Sequence, residues 1–579
     1  MGKYLGLPEL FGRKKRDIFA SILDRIRQRI RHWSTKFLSG AGKQILLKAV
    51  LAAMPCYAMS CFKLPSSLCK QIQSLLTRFW WDANPEKRKM CWVAWSTLML
   101  PKCAGGPGFR DLETFNDALL AKIGWRILRN PNSLVAQVLL GKYCKDTSFW
   151  ECSAPNSASH GWKSILAGRE ILKLGTGWEV GNGESINLWT EPWLSLDSPT
   201  MPIGPPTEGQ THFTVSDLLC PLTNSWRREA VQLILPHHEN QIFSLITSSV
   251  SHIDRRIWLY DLSGEYTTKS GYNLASTSEL DLTAQPLDWQ KCIWSVKASP
   301  KIKDFLWRDA KKAIPVSANL ETRGLPAFPC KRCGGIEDDL HTFLLCPHAQ
   351  EVWTLASIFP VPQVTIPSFH HILKSGSQFI TLPPVGCSNP VWPWILWRLW
   401  KSRNLLVFEN RSLSAQEVVT LAILDAKEWQ RAQTAQISIA SPPRLTTKET
   451  PLIPNVEKER LVCFVDAAWD ATTRNCGLAG VFKGRERDKQ QDFQNTRRCV
   501  GSALVAEALA VREAVLQAFV TNAESLQVFS DSQILVKLLK GKGSRKDLHN
   551  ILADIYYFSN RLRTCTFFTF LAYVMWRLT

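Results

Sequence analysis

Apolar residues at helical spacing mark the beginning of the chain. From Asp17 to Phe37, isoleucines and aromatic residues recur every three or four positions, and arginines occupy positions between them. This spacing places the apolar side chains on one face and predicts a basic amphipathic helix. The plainest interpretation is a helix packed on a core with a solvated arginine face. Contact of Arg25 and Arg29 with nucleic-acid phosphates is compatible with that interpretation.

Three further patterns organise the middle of the chain. Helical spacing returns from Leu112 to Leu140. The stretch 177–189 then alternates apolar and polar residues around Asn182-Gly183, a dipeptide typical of two-residue turns, and predicts a β-hairpin. Between 441 and 455 prolines and polar residues accumulate without periodicity, which predicts a linker.

The C-terminal 120 residues alternate between the periods of strands and helices. The predicted order is three strands, a helix, a strand, two helices and a closing strand. The first strand runs through Val465 in the stretch 461–470, and the segments that follow it are 477–482, 497–500, 503–519, 525–531, 532–539, 548–562 and 565–570. With the helical N-terminal part, this order predicts an α+β multidomain fold that ends in a mixed sheet flanked by helices.

Three acidic residues in this last region attract attention. Asp466 interrupts the apolar run LVCFVDAAWD, and an unpaired buried carboxylate costs several kcal/mol, so it must be solvated at a strand end, paired with a cation or bound to metal. Taken singly, Asp531 could cap the next helix and Glu507 could be a solvated helix residue. Together, two strand acids and one acid on the crossing helix predict convergence at one sheet edge. Such a carboxylate cluster suits two magnesium ions and phosphodiester hydrolysis.

The stretch CKRCGGIEDDLHTFLLC contains a second group of candidate ligands. Cys330, Cys333, His341 and Cys346 follow the spacing C-x2-C-x7-H-x4-C, which predicts one structural zinc ion held by a tight turn and a short helix. The alternative is that these cysteines are packing residues, because cysteine is often simply buried. The pair Asp338-Asp339 lies ahead of the predicted helix, where capping is a better role than polymerase catalysis.

Charge indicates the class of partner. The chain contains 70 Lys+Arg and 50 Asp+Glu, a net charge of +20, and residues 1–90 hold 18 basic and 5 acidic side chains. Such an excess favours a polyanionic partner, nucleic acid before an anionic membrane.

The N-terminal sequence and the longest apolar run indicate in which cellular compartment the protein is expected, and the compartment in turn indicates the state of the cysteines. The N-terminus MGKYLG lacks an apolar signal region, and the longest apolar run contains Lys48 and Pro55, which a membrane span would avoid. We therefore expect an intracellular protein of the nucleus or cytoplasm that is not secreted. The 17 cysteines are then expected to be buried thiols and metal ligands, not a disulfide framework.

Several motifs resemble a known family. FVDAAWD, AEALAVREAV and FSDSQ are similar to the carboxylate motifs of the ribonuclease H domain in plant retroelement-derived proteins. GEYTTKSGY, WSVKASPKIKDFLWR and the Cys/His element resemble the zinc-binding domain of plant non-LTR (LINE-type) retroelement reverse transcriptases. KYLGLP and GGPGFRDLETFNDALLAKIGWR resemble the segment that follows the polymerase palm in the same polyproteins. The palm motifs themselves are not found, so no polymerase activity is expected.

This resemblance implies a domain order and an activity. It divides the chain into a basic helical region (1–150), a connecting region with the hairpin (151–250), a zinc-binding domain (255–355), a helical region with the linker (356–455) and a ribonuclease H-like domain (456–579). It implies cleavage of the RNA strand of RNA–DNA hybrids, with Asp466, Glu507 and Asp531 as catalytic magnesium ligands. The alternative is a catalytically inactive nucleic-acid-binding relic or interaction protein.

The C-terminus departs from the family pattern. The family's closing strand is followed by a segment like I-P-R-x-x-N-x-x-A-D, whose Asp supplies a fourth carboxylate, whereas no acid follows Asp554 here. Reading LAYVMWRLT back through permissible codons and skipping two bases gives R-L-C-N-V-E-A-D. We therefore expect a truncated domain and a frameshift near Phe570; the alternative is that this lineage simply ends differently.

Overall fold

The fold is known from a computed structural model. It describes residues 3–4, 7–8, 19–31, 38, 40–82, 88–204, 209–278, 280, 286–383, 385–440, 460–484 and 486–570. The predicted linker at 441–455 and the C-terminal segment 571–579 lie outside the described residues.

The helices of the described residues are numbered in chain order. They are α1 (Ala20–Arg31), α2 (Gly40–Ala49), α3 (Cys56–Cys61), α4 (Ser66–Trp81), α5 (Trp95–Leu98), α6 (Leu112–Arg129), α7 (Leu134–Tyr143), α8 (His160–Lys173), α9 (Arg228–Ile234), α10 (Glu239–Ser244), α11 (Thr268–Thr277), α12 (Pro300–Ala310), α13 (Ser317–Glu321), α14 (Pro347–Leu355), α15 (Phe369–Ser375), α16 (Trp392–Glu409), α17 (Ala415–Ala440), α18 (Ala503–Val520), α19 (Gln533–Lys540) and α20 (His549–Ser559). Short π-helical turns occupy Gln290–Trp294 and His341–Leu345.

The strands form one larger sheet and three two-stranded pairs. They are β1 (Lys3–Tyr4), β2 (Leu7–Pro8), β3 (Thr176–Glu179), β4 (Arg255–Trp258), β5 (Ile358–Phe359), β6 (Ile380–Thr381), β7 (Leu461–Trp469), β8 (Cys476–Gly484), β9 (Phe493–Arg497), β10 (Ser525–Ser530) and β11 (Thr564–Thr569). The five-stranded sheet has the order β11-β10-β7-β8-β9. The α+β class predicted from the sequence is confirmed.

The chain forms two compact units. The first comprises Met1–Asp117, Ser159–Ser164 and Ala275–Leu445, and the second comprises Ala118–Ala158, Ile165–Leu274 and Thr446–Thr579. The finer division into five domains stays a prediction.

The first unit is mainly helical. Helix α1 has the amphipathic character that the sequence predicts: Ile22 and Ile26 are buried, whereas Arg25 and Arg29 are exposed. In the described part of the predicted helix, the apolar face therefore packs on a core. The long helices α16 and α17 are joined by an ion pair in which Arg398 Nε donates to Asp425 Oδ2 at 2.7 Å.

The five-stranded sheet lies in the second unit and carries α18 on one face. Strands β7, β8 and β9 are antiparallel, and β10 pairs in parallel with both β7 and β11. Leu461, Cys463 and Val465 of β7 join the core cluster that contains the buried residues of α18. The alternate positions Val462 and Phe464 pack into a smaller cluster. Both faces of β7 are thus covered, which explains its nearly continuous apolar run.

The hairpin predicted at 177–189 is wrong. β3 pairs instead with β4, with Thr176 opposite Trp258 and Glu179 opposite Arg255. The turn at Asn182-Gly183 wraps around the carboxylate of Asp254, which accepts hydrogen bonds from the amides of residues 181, 183 and 185 at 2.8 Å each. Those amides are therefore not available to a facing strand.

Two other boundaries differ from the sequence pattern. The helical stretch expected from 112 to 140 is broken into α6 and α7 at Pro131, because proline removes an amide donor and clashes with the preceding turn. The third strand of the sheet covers Phe493–Arg497, not 497–500, because Cys499 has a left-handed backbone (φ 60°) that ends the strand. The remaining elements predicted for 461–570 are confirmed with small shifts at their ends.

The structure also bears on the expectations about the cysteines and about membrane spans. All 17 cysteines are free thiols, so no disulfide framework is present. Across the described ranges, no helix combines the length and the apolar character that crossing a bilayer requires.

Candidate metal centres

Asp466 in β7 and Asp531 directly after β10 lie at corresponding positions of two neighbouring parallel strands. Phe464 of β7 lies opposite Phe529 of β10, and their rings stack with centroids 5.1 Å apart. Asp466 and Asp531 each lie two residues further along the chain, so equal register brings both carboxylates to one edge of the sheet. Asp466 is exposed, and its Oδ1 accepts a hydrogen bond from the Ala467 amide at 2.9 Å.

The third acid reaches this edge from α18. Ser502 caps the helix by accepting a hydrogen bond from the Val505 amide, and Glu507 lies in the second turn. Carboxylate oxygens of Asp466, Glu507 and Asp531 all lie within 4.8 Å of one another. The predicted convergence of these three acids is therefore present in the fold, while their role as metal ligands stays a prediction.

Burial and mutual repulsion disfavour the ionised form of two of the three carboxyls. Glu507 is 9% exposed, and burial together with the charges of Asp531 and Asp466 raises the pKa of its carboxyl to about 8. Burial and the charge of Asp466 also raise the pKa of Asp531. Ser530 Oγ donates to Glu507 Oε2 at 3.3 Å and orients that carboxyl. Three crowded carboxyls, of which Glu507 and Asp531 have raised pKa values, are suited to a divalent cation, which would relieve their repulsion.

The simpler roles considered for two of these acids do not apply. The N-cap of α19 is Ser532, whose side chain accepts from the Leu535 amide, so Asp531 is not the cap. Glu507 is largely buried and is not a solvated helix residue.

The four candidate zinc ligands also meet. Ligand atoms of Cys330, Cys333, His341 and Cys346 all lie within 4.8 Å of one another, and Cys333 Sγ is 3.3 Å from His341 Nε2. Three thiols and an imidazole at these separations fit the edges of a tetrahedral zinc site. Burial raises the pKa of the Cys346 thiol to about 11, whereas the Gly335 amide lowers the pKa of the Cys333 thiol.

Local structure explains how these ligands meet. The Gly334 amide donates to the carbonyl of Cys330, and Gly334 adopts the left-handed backbone (φ 77°) that this tight turn requires. The carboxylate of Asp338 accepts from the His341 amide at 2.6 Å at the start of the π-helical turn. The capping role predicted for this acid is confirmed.

Sequence reasoning missed the residues that support this turn. Glu337 is only 2% exposed, and both of its carboxylate oxygens accept hydrogen bonds from the guanidinium of Arg403 on α16. Arg332 donates to Ser402 Oγ and to the Leu413 carbonyl, each at 3.0 Å. In the sequence, Glu337 is the first of three consecutive acids between the two pairs of candidate ligands, and this pattern gave no indication of its partner 66 positions away.

The last acid of the chain lies elsewhere. Asp554 on α20 is 0% exposed and accepts hydrogen bonds from Arg512 at 3.2 Å, from the Ser249 amide at 3.0 Å and from the hydroxyl of Ser248. Asp554 is therefore committed to a buried polar network and is not part of the group formed by Asp466, Glu507 and Asp531.

Comparison with protein families identifies both regions. Residues 266–353 match the family model for zinc-binding in reverse transcriptase, and residues 464–570 match the family model described as reverse transcriptase-like. Both matches imply metal use, and the second implies binding of nucleic acid.

Two similar proteins come from Arabidopsis thaliana. The Arabidopsis thaliana protein named "Putative ribonuclease H protein" is 31% identical over 454 residues, which cover 73% of this chain and 68% of the relative. An uncharacterised mitochondrial protein of the same plant is 43% identical over 152 residues, 26% of this chain and 99% of the relative.

Solved structures similar to this chain include two ribonuclease H domains. The ribonuclease H1 of Halobacterium salinarum is 16% identical, with 20% of this chain and 90% of that chain covered and a TM-score of 0.19. The N-terminal ribonuclease H domain of a Mycobacterium tuberculosis protein is 16% identical, with 20% and 84% covered and a TM-score of 0.18.

The two domain matches and the extended similarity to the Arabidopsis relative agree with the motifs of the sequence. The chain belongs to the family of plant retroelement-derived proteins that combine a reverse-transcriptase zinc-binding domain with a ribonuclease H-like domain.

Proposed function

We propose that the C-terminal domain cleaves the RNA strand of RNA–DNA hybrids. The observation that carries the proposal is the convergence of Asp466, Glu507 and Asp531 within 4.8 Å at one sheet edge of a ribonuclease H-like domain. These residues would hold two magnesium ions, which when bound would activate the attacking water and stabilise the leaving oxygen. A single zinc ion on Cys330, Cys333, His341 and Cys346 would be structural, because four protein ligands leave no open position.

The chain's own residues would prepare the site for the cations. Asp466, the most exposed of the three acids, would offer its carboxylate to the cations from the solvent side. Glu507 is mostly protonated at neutral pH in the metal-free state and would release its proton on binding, while Ser530 keeps its carboxyl oriented. Asp531 would bind from the end of β10.

Replacing Asp466 should abolish cleavage. We expect Asp466→Asn to lower the rate of magnesium-dependent hybrid cleavage by about 10³-fold, because a metal ligand is worth several kcal/mol of transition-state stabilisation. The assay is release of labelled RNA fragments from a hybrid by the full-length chain. Asp488→Asn, at an exposed acid of the same domain, is the matched control.

The same assay decides between the two candidate functions. The inactive alternative is favoured by one observation: among the described residues three carboxylates meet at the site, while Asp554 is buried elsewhere and paired with Arg512. A wild-type chain that binds hybrid but cleaves no faster than Asp466→Asn would establish the binding protein and reject the nuclease.

Magnesium binding should strengthen as pH rises toward 8. The folded pKa of Glu507 is raised above its unfolded value, so its neutral form stabilises the metal-free fold at low pH, and this stabilisation is lost as pH rises through about 8. Because magnesium binds the carboxylate, its apparent affinity should rise about tenfold per pH unit below 8. Calorimetry in two buffers of different ionisation enthalpy would measure the released proton. Glu507→Gln should remove the proton release, and Glu513→Gln on the same helix should not.

The exposed face of α1 would contact nucleic-acid phosphates without sequence preference. Arg25 and Arg29 are exposed there, and only five acids offset the 18 basic residues of positions 1–90. The combined change Arg25→Gln/Arg29→Gln should weaken hybrid binding and reduce the salt slope of log K by about 1 per lost phosphate contact. Binding that stays flat between low and moderate salt would contradict this role.

A further inference from the structure

A cavity in the first unit is lined by indole rings and cations. Its volume is about 500 Å³, and its lining includes Trp81, Trp92 and Trp397 together with Lys89, Lys301 and Arg308. None of these residues belongs to the zinc turn or to the ribonuclease H-like domain. The combination of flat aromatic faces and positive charge is typical of sites that bind single-stranded nucleic acid.

Two of the rings are accessible. Trp92 and Trp397 are half-buried, and each lies under a cation: Arg323 is 5.7 Å from the Trp92 ring centroid and Lys301 is 4.7 Å from the Trp397 ring centroid. Lys301 is exposed and unbranched, so its ammonium can move aside while its charge stays close. Movement of Lys301 can therefore uncover the face of the Trp397 ring for a flat ligand without unfolding of the surrounding helices.

The polar groups of the cavity leave an excess of positive charge. Asp304 also lines it and forms an ion pair with Arg308 at 2.9 Å, so one acid offsets one of the three cations. Burial, with added repulsion from Lys89 and Arg308, lowers the pKa of the nearby Lys43 amine. Trp81 contributes an indole Nε1 that is buried without a hydrogen-bond partner among the described residues. A ligand that supplies both an anion and an acceptor would satisfy these groups.

We propose that this cavity binds a segment of single-stranded nucleic acid, with a base stacked on Trp92 or Trp397 and its flanking phosphates on Lys89 and Lys301. A duplex fits this chemistry poorly, because its base faces are already stacked. An acidic peptide would use the lysines but would gain little from the indoles. This proposal rests on the proposed nucleic-acid function and adds to it: the first unit would bind a single strand, and this binding would be separate from cleavage.

Binding of a short oligonucleotide tests the site. We would measure fluorescence anisotropy of a labelled oligothymidylate of about 12 nucleotides with the full-length chain. Trp92→Leu should weaken binding about tenfold, the expected loss of one stacked base. Lys89→Gln/Lys301→Gln should reduce the salt slope by about 1.4, since each phosphate contact on a single strand accounts for about 0.7. Trp92→Phe, which keeps an aromatic face, should recover most of the affinity.

Matched variants separate this site from other basic surfaces. Lys70→Gln/Lys297→Gln removes two exposed lysines of the same unit outside the cavity and should leave the affinity within twofold. The cavity variants should weaken single-strand binding more than hybrid binding and leave hybrid cleavage unchanged, so failure here is distinguishable from failure of the nuclease proposal. The proposal would be overturned if wild type, Trp92→Leu and Lys89→Gln/Lys301→Gln bound the oligonucleotide with equal affinity. It would also be overturned if polyglutamate displaced the oligonucleotide equally from all three proteins. If Trp92→Leu does not fold, ultraviolet cross-linking of the wild type decides: the oligonucleotide must attach to peptides containing Trp92 or Trp397.

Discussion

Removal of zinc should unfold the segment around residues 330–346. Structural zinc contributes apparent free energies of about 10–16 kcal/mol, more than the whole stability of many domains. We expect one zinc per chain by mass spectrometry of the metal content. Chelation or Cys333→Ser should then abolish amide-exchange protection from Cys330 to Cys346.

The buried ion pair of Glu337 and Arg403 should extend the effect of zinc removal from the turn to α16. When the turn opens, Glu337 leaves its guanidinium partner, so amide protection should also fall at the neighbouring residues of α16. Cys103→Ser, at an exposed cysteine of the same unit, should retain the metal and the protection. A purified chain without stoichiometric zinc, or equal protection after Cys333→Ser, would show that the four residues are packing side chains.

Local sequence patterns were sufficient to predict which residues meet in the two candidate metal sites, because each residue lies on an element with a clear pattern of its own. The strand of Asp466 and the helix of Glu507 each have a clear period, and the parallel pairing of β7 with β10 follows from the helix between them. The four candidate zinc ligands lie within 17 residues of sequence, where a turn and the start of a helix fix their distances. In both cases the residue types are ones that metals select, so the spacing could be interpreted chemically.

The interactions that sequence reasoning missed join residues far apart in the chain. The turn at Asn182-Gly183 has the composition of a hairpin, but Asp254, about 70 positions later, takes its amides. Glu337 and Arg403 are indistinguishable from surface residues until α16 is placed beside the turn. No periodicity specifies which distant group will satisfy a buried polar atom, since that choice depends on the assembled fold.

Asp554→Ala should destabilise the second unit by about 3–5 kcal/mol. The change leaves the partly buried guanidinium of Arg512, whose side chain is 17% exposed, without its partner and removes the acceptor of the Ser249 amide. The carboxylate of Asp554 itself is 0% exposed, so water replaces it poorly. Urea unfolding of the full-length chain, followed by amide exchange at α20 and at residues 246–252, would measure the effect.

The surface pair of Arg545 and Asp547 provides the matched control. Both side chains are about one quarter exposed, so Asp547→Ala should cost no more than about 1 kcal/mol. Arg512→Ala combined with Asp554→Ala should restore part of the stability, because the double change leaves no charge unpaired. An Asp554→Ala chain as stable as Asp547→Ala would show that the network is dispensable.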